Sequence, residues 1–500
     1  MRERWMYKMS GAGRRVRLLV LAAVMVATAV FLAAGCTRRT GTEEIPTDTG
    51  GAAGIESSSA ESSDMGPESQ EPSTIESFPT SESETEPETP EETEPEIRWE
   101  KTAIVATDIH YLARSLTDGG SSFRYMVEHG DGKVVTYIEQ IVDAFLEEVI
   151  AQKPDMLILS GDLTLDGEKK SHEELAGKLY AVQEAGIPVL VIPGNHDINN
   201  RHAAEYRGND RLPTEFTTPE EFLDIYRDFG YNEAISRDRA TLSYVYEVDE
   251  YNRLLMLDTC QYQQKARVGG AILSDTYDWI DMQLEEAWDD GMNIIPVAHH
   301  NLLDQSEIYV DDCTIEHSEQ LVERLEDWNV PLFLSGHLHV QHTKRSDEDR
   351  GIWEMVTSSL ATPACQYGVL KFRDDGSFDY HTRAVDVEVW AKRHNRTEAD
   401  LLNFDEFKEP FLKRVFYNQS YDKLQLIPHL DESQRRRMSE VYTELNYHYY
   451  QGDAFLVRDK ILKSPDYELW LGDGSSTVLT DYVEYIISDA KRDYNRVSGK

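Results

Sequence analysis

Five short blocks of the sequence combine aspartate, asparagine and histidine, side chains that bind transition-metal ions. Each block directly follows a stretch of apolar and β-branched residues that predicts a buried strand. The blocks are Asp108-Ile109-His110, Gly161-Asp162, Gly194-Asn195-His196-Asp197, His299-His300 and Gly336-His337-Leu338-His339. Together they supply enough ligands to hold two metal ions side by side, which is the equipment of metal-assisted phosphoester hydrolysis.

Taken singly, several of these blocks have plainer interpretations. Asp162 after Gly161 is by itself typical of a turn or a helix cap, and one Asp-x-His pair is common on protein surfaces. The four histidines of the last two blocks are more informative, because burying them without ligands or charge partners is costly. The joint pattern therefore favours a metal site over five unrelated structural roles.

The order of predicted elements indicates the fold class and the position of the blocks. From residue 101 to about 384, short apolar runs alternate with helical patterns such as 134–149 and 171–184, which predicts an α/β core with both sheet faces covered. The predicted strands are 102–107, 155–160, 187–192, 254–257, 294–298, 332–334 and 355–358. Ligands of such sheets collect at the carboxyl ends of the strands, where all five blocks lie.

The chain changes character at about residue 385. Helical patterns dominate from there to residue 500, tyrosine is frequent, and the metal-type blocks are absent from this part of the sequence. We interpret residues 100–384 as the α/β domain and residues 385–500 as a smaller helical domain packed against it.

The N-terminus predicts export from the cytoplasm. A basic leader precedes the apolar run from Leu18 to Ala34, as in a secretory signal peptide. The run ends in Leu32-Ala33-Ala34-Gly35-Cys36, which resembles a bacterial lipoprotein cleavage box apart from Ala33. That resemblance implies a signal peptide over residues 1–35, lipidation of Cys36 and anchoring to the cell membrane on its outer side. The alternative is a single membrane-spanning anchor, since the run reaches the lower end of the roughly 17–25 residues that span a bilayer.

Residues 36–99 consist mainly of Glu, Ser, Thr, Pro and Gly, and they cannot bury enough apolar surface to fold. We predict a disordered acidic linker there. The net charge of the chain is −42, which argues against a nucleic-acid polymer as partner. An anionic substrate must then be attracted by local metal charge. With Cys36 lipidated, Cys260, Cys313 and Cys365 remain, and the sequence does not choose a disulfide pair among them.

The order of the five blocks resembles the calcineurin-like metallophosphoesterase superfamily. The stretches 116–120, 130–133 and 199 onward, together with the helical C-terminal region, resemble a narrower group of bacterial lipoproteins related to cyclic-nucleotide phosphodiesterases. The resemblance implies a metallophosphoesterase-type α/β/β/α sandwich with a small helical C-terminal domain. One departure is Asn301, where many relatives have Pro, and this loosens the choice between His299 and His300.

The resemblance also assigns roles to the blocks. One metal ion would bind Asp108, His110 and His339, the second would bind Asn195, His299 and His337, and Asp162 would bridge them. Such mixed ligands suit Mn, Fe or Zn, and two such ions acidify a bridging water for attack on phosphorus. His196 would act as a general acid toward the leaving group rather than as a ligand. Tyr111 and His300 are weaker candidates for substrate contacts.

The substrate is less well defined by the sequence. Our first hypothesis is hydrolysis of a phosphodiester, a cyclic or other small nucleotide, with residues 111–132 forming a roof over the site. An alternative is a phosphomonoesterase of the 5′-nucleotidase or acid-phosphatase type. A more remote alternative is a surface binding module without catalysis, although all seven ligand candidates are present. The oligomeric state is not readable from the sequence.

Overall fold

The structure, a computed structural model, describes residues 100–263, 266–306, 310–472 and 478–500. The predicted signal peptide (1–35), the lipidation site Cys36 and the predicted linker (36–99) lie outside the described residues. None of the helices in the described ranges combines the length and apolar character needed to span a membrane.

Two sheets form the centre of the molecule. The first has the strand order β15-β14-β13-β1-β2-β3, the second has the order β11-β12-β10-β9-β8-β7-β6, and β4 pairs only with β5. The strands are β1 (Glu100–Ala106), β2 (Met156–Ser160), β3 (Val189–Ile192), β4 (Ala204–Arg207), β5 (Asp210–Pro213), β6 (Ser236–Arg237), β7 (Tyr244–Glu247), β8 (Asn252–Leu257), β9 (Asn293–Ala298), β10 (Leu332–Ser335), β11 (His342–Arg345), β12 (Trp353–Val356), β13 (Gln366–Arg373), β14 (Phe378–Ala384) and β15 (Arg496–Gly499).

Parallel strands occupy the middle of each sheet and antiparallel strands the edges. β1, β2 and β3 are mutually parallel, as are β8, β9, β10 and β12. β13 pairs antiparallel with β1 and β14 pairs antiparallel with β13 in the first sheet, and antiparallel pairs add β6, β7 and β11 to the second. The seven strands that the apolar runs predict are all present. The antiparallel edges were not predicted.

The helices cover the outer faces of the sheets and form the C-terminal region. They are α1 (Ser121–His129), α2 (Ile138–Gln152), α3 (Lys169–Glu184), α4 (Pro219–Ile225), α5 (Ser274–Asp289), α6 (Glu319–Asp327), α7 (Val387–Arg393), α8 (Ala399–Leu402), α9 (Phe404–Gln425), α10 (Glu432–Tyr450), α11 (Phe455–Leu462), α12 (Glu468–Leu471) and α13 (Val478–Asp489).

Side-chain alternation along the strands creates the layers. In β8, Leu254 and Met256 join the core shared with the first sheet, whereas Leu255 and Leu257 pack in a separate cluster with helix α5. This period of two gives each strand one face toward the other sheet and one face toward helices. The result is an α/β/β/α sandwich, which confirms the predicted fold class.

The C-terminal helices have a hydrophobic core of their own, and it reaches the last of the five blocks. Trp470 is fully buried there, and Val340 belongs to the same cluster, with Leu338 packed against it. We expected a helical region, but it also contains a strand. Strand β15 pairs with β14 and so joins the first sheet. A four-residue strand with one buried side chain, Val497, carries too little periodic signal to be recognised in a sequence.

Candidate metal centre

All five blocks lie directly after strands, as predicted. Asp108 follows the end of β1, Gly161 follows β2 and Gly194 follows β3, all in the first sheet. His299 follows β9 and Gly336 follows β10 in the second sheet. Because these strands run in parallel within each sheet, their carboxyl ends bring the blocks to one edge of the sandwich.

The first group of donor atoms is formed by Asp108, His110 and His339. One donor atom from each lies within 4.8 Å of the others. The two imidazole Nε2 atoms face each other at 3.0 Å, and Asp108 Oδ1 lies 3.2 Å from Nε2 of His339. This Oδ1 atom is fully buried and has no hydrogen-bond partner. The group is the set that the family resemblance assigned to one metal ion.

The second group is formed by Asn195, His299 and His337. Nε2 of His299 lies 3.1 Å from Oδ1 of Asn195 and 3.2 Å from Nδ1 of His337. The other nitrogen of each histidine donates to a backbone carbonyl: Nδ1–H of His299 to Ser160 at 3.0 Å, and Nε2–H of His337 to Asp312 at 2.8 Å. Such bonds fix the ring orientation and the tautomer, leaving the facing nitrogens with lone pairs.

The Asp162 carboxylate lies between the two groups. Its Oδ2 atom is 3.7 Å from Nε2 of His110 and 3.4 Å from Nε2 of His299. Its Oδ1 atom accepts a hydrogen bond from the backbone N–H of His196 at 2.8 Å, which holds the carboxylate in this orientation. Oδ2 of Asp162 thus lies close to donor atoms of both groups, as a bridging ligand requires.

The donor set fits two cations. With Nδ1 of His299 protonated toward Ser160, its Nε2 faces three atoms that can only accept, and a positive charge must lie among them. In the protein alone, burial opposes protonation of His299 but the Asp162 carboxylate outweighs it and raises the pKa to about 9. A bound metal ion replaces such a proton, because metal ligands must be deprotonated.

Backbone strain is concentrated in this centre. Asp108, His110, Asp162, His337 and His339 all have positive φ, between 46° and 72°. Non-glycine residues adopt this left-handed conformation rarely, and each instance costs on the order of 1–3 kcal/mol. The parallel strands must therefore hold the blocks rigidly enough to offset the strain. Gly194 meets a further constraint, since a Cβ atom there would lie 2.1 Å from the backbone nitrogen of Asp162.

His196 lies beside the two donor groups with a different set of partners. Its Nδ1–H donates to the carbonyl of Leu165 at 2.7 Å and lies 3.3 Å from Oδ1 of Asp166, while its Nε2 is 3.9 Å from Oδ2 of Asp162. The side chain is 30% exposed, whereas those of His110 and His299 are fully buried. This accessibility separates His196 from His110 and His299, whereas Asn195, His337 and His339 are also partly exposed.

Asp166 was not predicted from the sequence to be part of the site. It lies four residues after Asp162 and before Gly167, and that spacing was the available signal. Its carboxylate contacts His196 and, at 3.6 Å, the guanidinium of Arg211 on strand β5. Asp166 therefore connects His196 to the β4–β5 hairpin.

The sequence also predicts no role for Asp197. In the structure, its carboxylate links two of the five blocks. Its carboxylate accepts hydrogen bonds from the backbone N–H groups of Gly194, Leu163 and Thr164 at 2.8–3.0 Å. These bonds join the turn after β3 to the turn after β2. Asp197 is fully buried, and it supports the ligand candidates from outside the two donor groups.

The two weaker candidates for substrate contact are corrected by the structure. Tyr111 is fully buried and its hydroxyl donates to Glu174, so it packs in the core. His300 is also buried, with Nδ1 2.7 Å from the hydroxyl of Thr259 and Nε2 donating to the carbonyl of Val268 at 2.9 Å. Both of its nitrogens are therefore engaged. Asn301 donates to Ser335 and Gly336 and so links the ends of β9 and β10.

Residues 101–341 match the family described as calcineurin-like phosphoesterase. They form a calcineurin-like phosphoesterase domain. The matched range contains all seven ligand candidates. Residues 386–493 match the family described as the C-terminal domain of cyclic nucleotide phosphodiesterase. The chain thus joins the phosphoesterase domain to a region known from that group of proteins.

The phosphoesterase domain is also similar to individual proteins. A "probable cyclic nucleotide phosphodiesterase" of Synechococcus sp. is 29% identical over 38% of this chain and 59% of its own length. A second protein so named, from Psychrobacter arcticus, is 22% identical over 48% of this chain and 75% of its own length. The chain therefore spans about three fifths of the length of the first of these relatives. A dimetal phosphatase from Danio rerio aligns at 12% identity over 57% of this chain and 96% of its own, with a TM-score of 0.43.

The neighbouring histidines His299 and His300 provide a direct test of the ligand assignment. We expect His299→Ala to reduce the metal content of the purified protein from two ions per chain to about one, because the second donor group loses its central nitrogen. His300→Ala should retain two ions, since both ring nitrogens of His300 form hydrogen bonds with other residues of the protein. Elemental analysis of both variants measures this, and loss of metal from the His300 variant would contradict the assignment.

Proposed function

We propose that this protein is a dinuclear-metal phosphodiesterase that hydrolyses cyclic or other small nucleotides. The observation that carries the proposal is the pair of donor groups sharing Oδ2 of Asp162, with His196 beside them. Their imidazole and carboxylate donors suit Mn, Fe or Zn. When bound, two such ions would activate water and neutralise charge on the phosphate oxygens.

The residues of the chain then have separate tasks. Asp108, His110 and His339 would hold one ion, Asn195, His299 and His337 the other, and Asp162 both. His196 would donate a proton to the leaving alkoxide. Burial lowers the pKa of His196, but the carboxylates of Asp162 and Asp166 outweigh that effect and raise it to about 9. In the protein without bound ions, the protonated form that a general acid needs therefore predominates at neutral pH.

The preference for a phosphodiester rests on the C-terminal match and on the relatives named as cyclic nucleotide phosphodiesterases. Residues 111–132, which the sequence predicts to form a roof over the site, offer further support. Helix α1 packs against the β4–β5 hairpin through Phe123 and Tyr206, and Arg211 of that hairpin reaches Asp166. These segments border the His196 side of the centre, where a leaving nucleoside oxygen would emerge.

Replacing a ligand should nearly abolish turnover, whether that ligand would bind both metal ions or only one. We expect Asp162→Asn and Asn195→Ala each to lower kcat by at least about a hundredfold, since even outer partners of metal ligands are worth 10–100-fold. Turnover of bis-p-nitrophenyl phosphate, 3′,5′-cyclic nucleotides and p-nitrophenyl phosphate measures this. Asp143→Asn is the control, because Asp143 pairs with Lys178 on the outer helices. Full activity in either ligand variant contradicts the proposal, and preference for the monoester identifies a phosphomonoesterase instead.

The role of His196 predicts a dependence on the leaving group. His196→Gln should lower kcat by about 10²–10⁴-fold for a cyclic nucleotide, whose alkoxide must be protonated as it leaves. The loss should be much smaller for bis-p-nitrophenyl phosphate, because nitrophenolate leaves without a proton. Steady-state kinetics of both substrates measures the difference. Equal losses for the two would assign His196 to phosphate binding or to folding.

We further propose that the protein is a lipoprotein anchored through Cys36 to the outer side of the bacterial cell membrane. The residues before Cys36 support this, since a cysteine at that place has no purpose in a plain membrane span. Cys36→Ser should block lipidation. We expect mass spectrometry to find acyl groups on the N-terminal peptide of the unaltered protein and of the Cys313→Ser control, and none on the Cys36 variant. An unaltered protein that retains residues 1–35 and carries no acyl group would favour the spanning anchor.

A further inference from the structure

Lys133 is a cation in an unusual environment. Its side chain is only 8% exposed, and its ammonium pairs at 3.0 Å with Asp131, whose side chain is 57% exposed. Lysine is rarely buried to this extent unless it is paired, and here the partner Asp131 is itself about half exposed to solvent. Such a charge is expensive to bury for stability alone.

The backbone places Lys133 next to the first donor group. The N–H of the adjacent Val134 donates to the carbonyl of Ala361 at 2.8 Å, and the N–H of Ala361 donates to the carbonyl of Asp108 at 3.3 Å. Two hydrogen bonds thus connect the residue beside Lys133 to a ligand candidate. Both bonds lie in the buried interior, so the position of Lys133 relative to the centre is well defined.

The ammonium lies within electrostatic reach of the centre. Burial lowers the pKa of Lys133, but in the protein alone the carboxylates of Asp131 and Asp162 outweigh that effect and raise it above the usual value. Lys133 is therefore charged, and it is close enough to act electrostatically on His110, Asp162 and His196.

The C-terminal region holds the loop that carries Lys133. Gly132 has a φ of +98°, and a Cβ atom there would lie 2.5 Å from Cδ1 of Leu412 on helix α9. Gln419 of the same helix donates to the carbonyl of Gly130 at 3.3 Å. Helix α9 thus contacts the loop 130–133 at two points and holds it in place.

We propose that Lys133 binds a non-bridging oxygen of the substrate phosphate beside the two metal ions. This inference rests on the phosphoesterase function proposed above and extends it to a residue outside the metal ligands. Two metal ions would repel a neighbouring ammonium, and an anionic phosphate between them relieves that repulsion. The hydrogen bond would be charge-assisted, and such bonds are roughly twice as strong as neutral ones. It also gives the C-terminal region a task, which is to position the lysine.

The test is the affinity of the metal-loaded full chain for inorganic phosphate, measured by calorimetric titration. We expect Lys133→Met to weaken phosphate binding by about ten- to a hundredfold. Lys133→Arg, which retains the charge, should recover most of the affinity. Lys408→Met is the matched control: Lys408 is 11% exposed and pairs with the 75% exposed Asp405 at 2.6 Å. It should bind phosphate like the unaltered protein.

Steady-state kinetics on a phosphodiester then separates this inference from the proposed function. If Lys133 contacts the phosphate, Lys133→Met raises KM by a similar factor at unchanged metal content. Phosphate affinity and KM equal to those of the unaltered protein would overturn the inference, as would loss of metal from the variant. Phosphate binding that depends on Lys133 without any turnover would leave the inference standing and refute the phosphodiesterase.

Discussion

The Asp162 carboxylate is the point on which the rest of the centre depends. Its Oδ2 atom faces both donor groups, and its Oδ1 atom is held by the backbone of His196. That bond requires the turn after β3 to approach the turn after β2 so closely that only glycine is accommodated at position 194. The carboxylate of Asp197 then joins the same two turns by three backbone hydrogen bonds. The carboxylates of Asp162 and Asp197 thus tie together the turns that follow two neighbouring strands.

The electrostatics of the centre are opposite to those of the whole chain. A net charge of −42 repels anions, so a phosphoester must be drawn in by charge near the binding place. Burial would raise the pKa of Asp108, but His339 and His110 hold it well below its usual range. The carboxylates are therefore ionised and available to cations, and Lys133 adds a fixed positive charge at the rim. Local cations in an acidic protein restrict attraction to this one place.

Much of the centre could be predicted from the sequence because its ligands follow strands directly. Strand length and side-chain period are local properties, and they placed Asp108, Asp162 and His299 at carboxyl ends correctly. Asp166 and Asp197 were missed because their roles depend on which carbonyls and N–H groups the fold brings near them. The same limit applies to Tyr111 and His300, whose partners Glu174 and Val268 are distant in the sequence. The antiparallel strands β13 and β15 were missed for a related reason, since they pair with β1 and β14, which are distant in the sequence.

The last ligand block is supported from the far end of the chain. Leu338, between His337 and His339, packs on the C-terminal core, and the N–H of Gln341 donates to the carbonyl of Tyr450 at 3.0 Å. The amide of Gln341 donates to the carbonyl of Tyr494 at 3.0 Å. On the ribosome, every ligand emerges before these supports do. The order of synthesis would therefore delay completion of the centre: residues 1–341 contain all seven ligand candidates, yet the block with His337 and His339 gains its C-terminal supports only after about 150 more residues have been made and have docked.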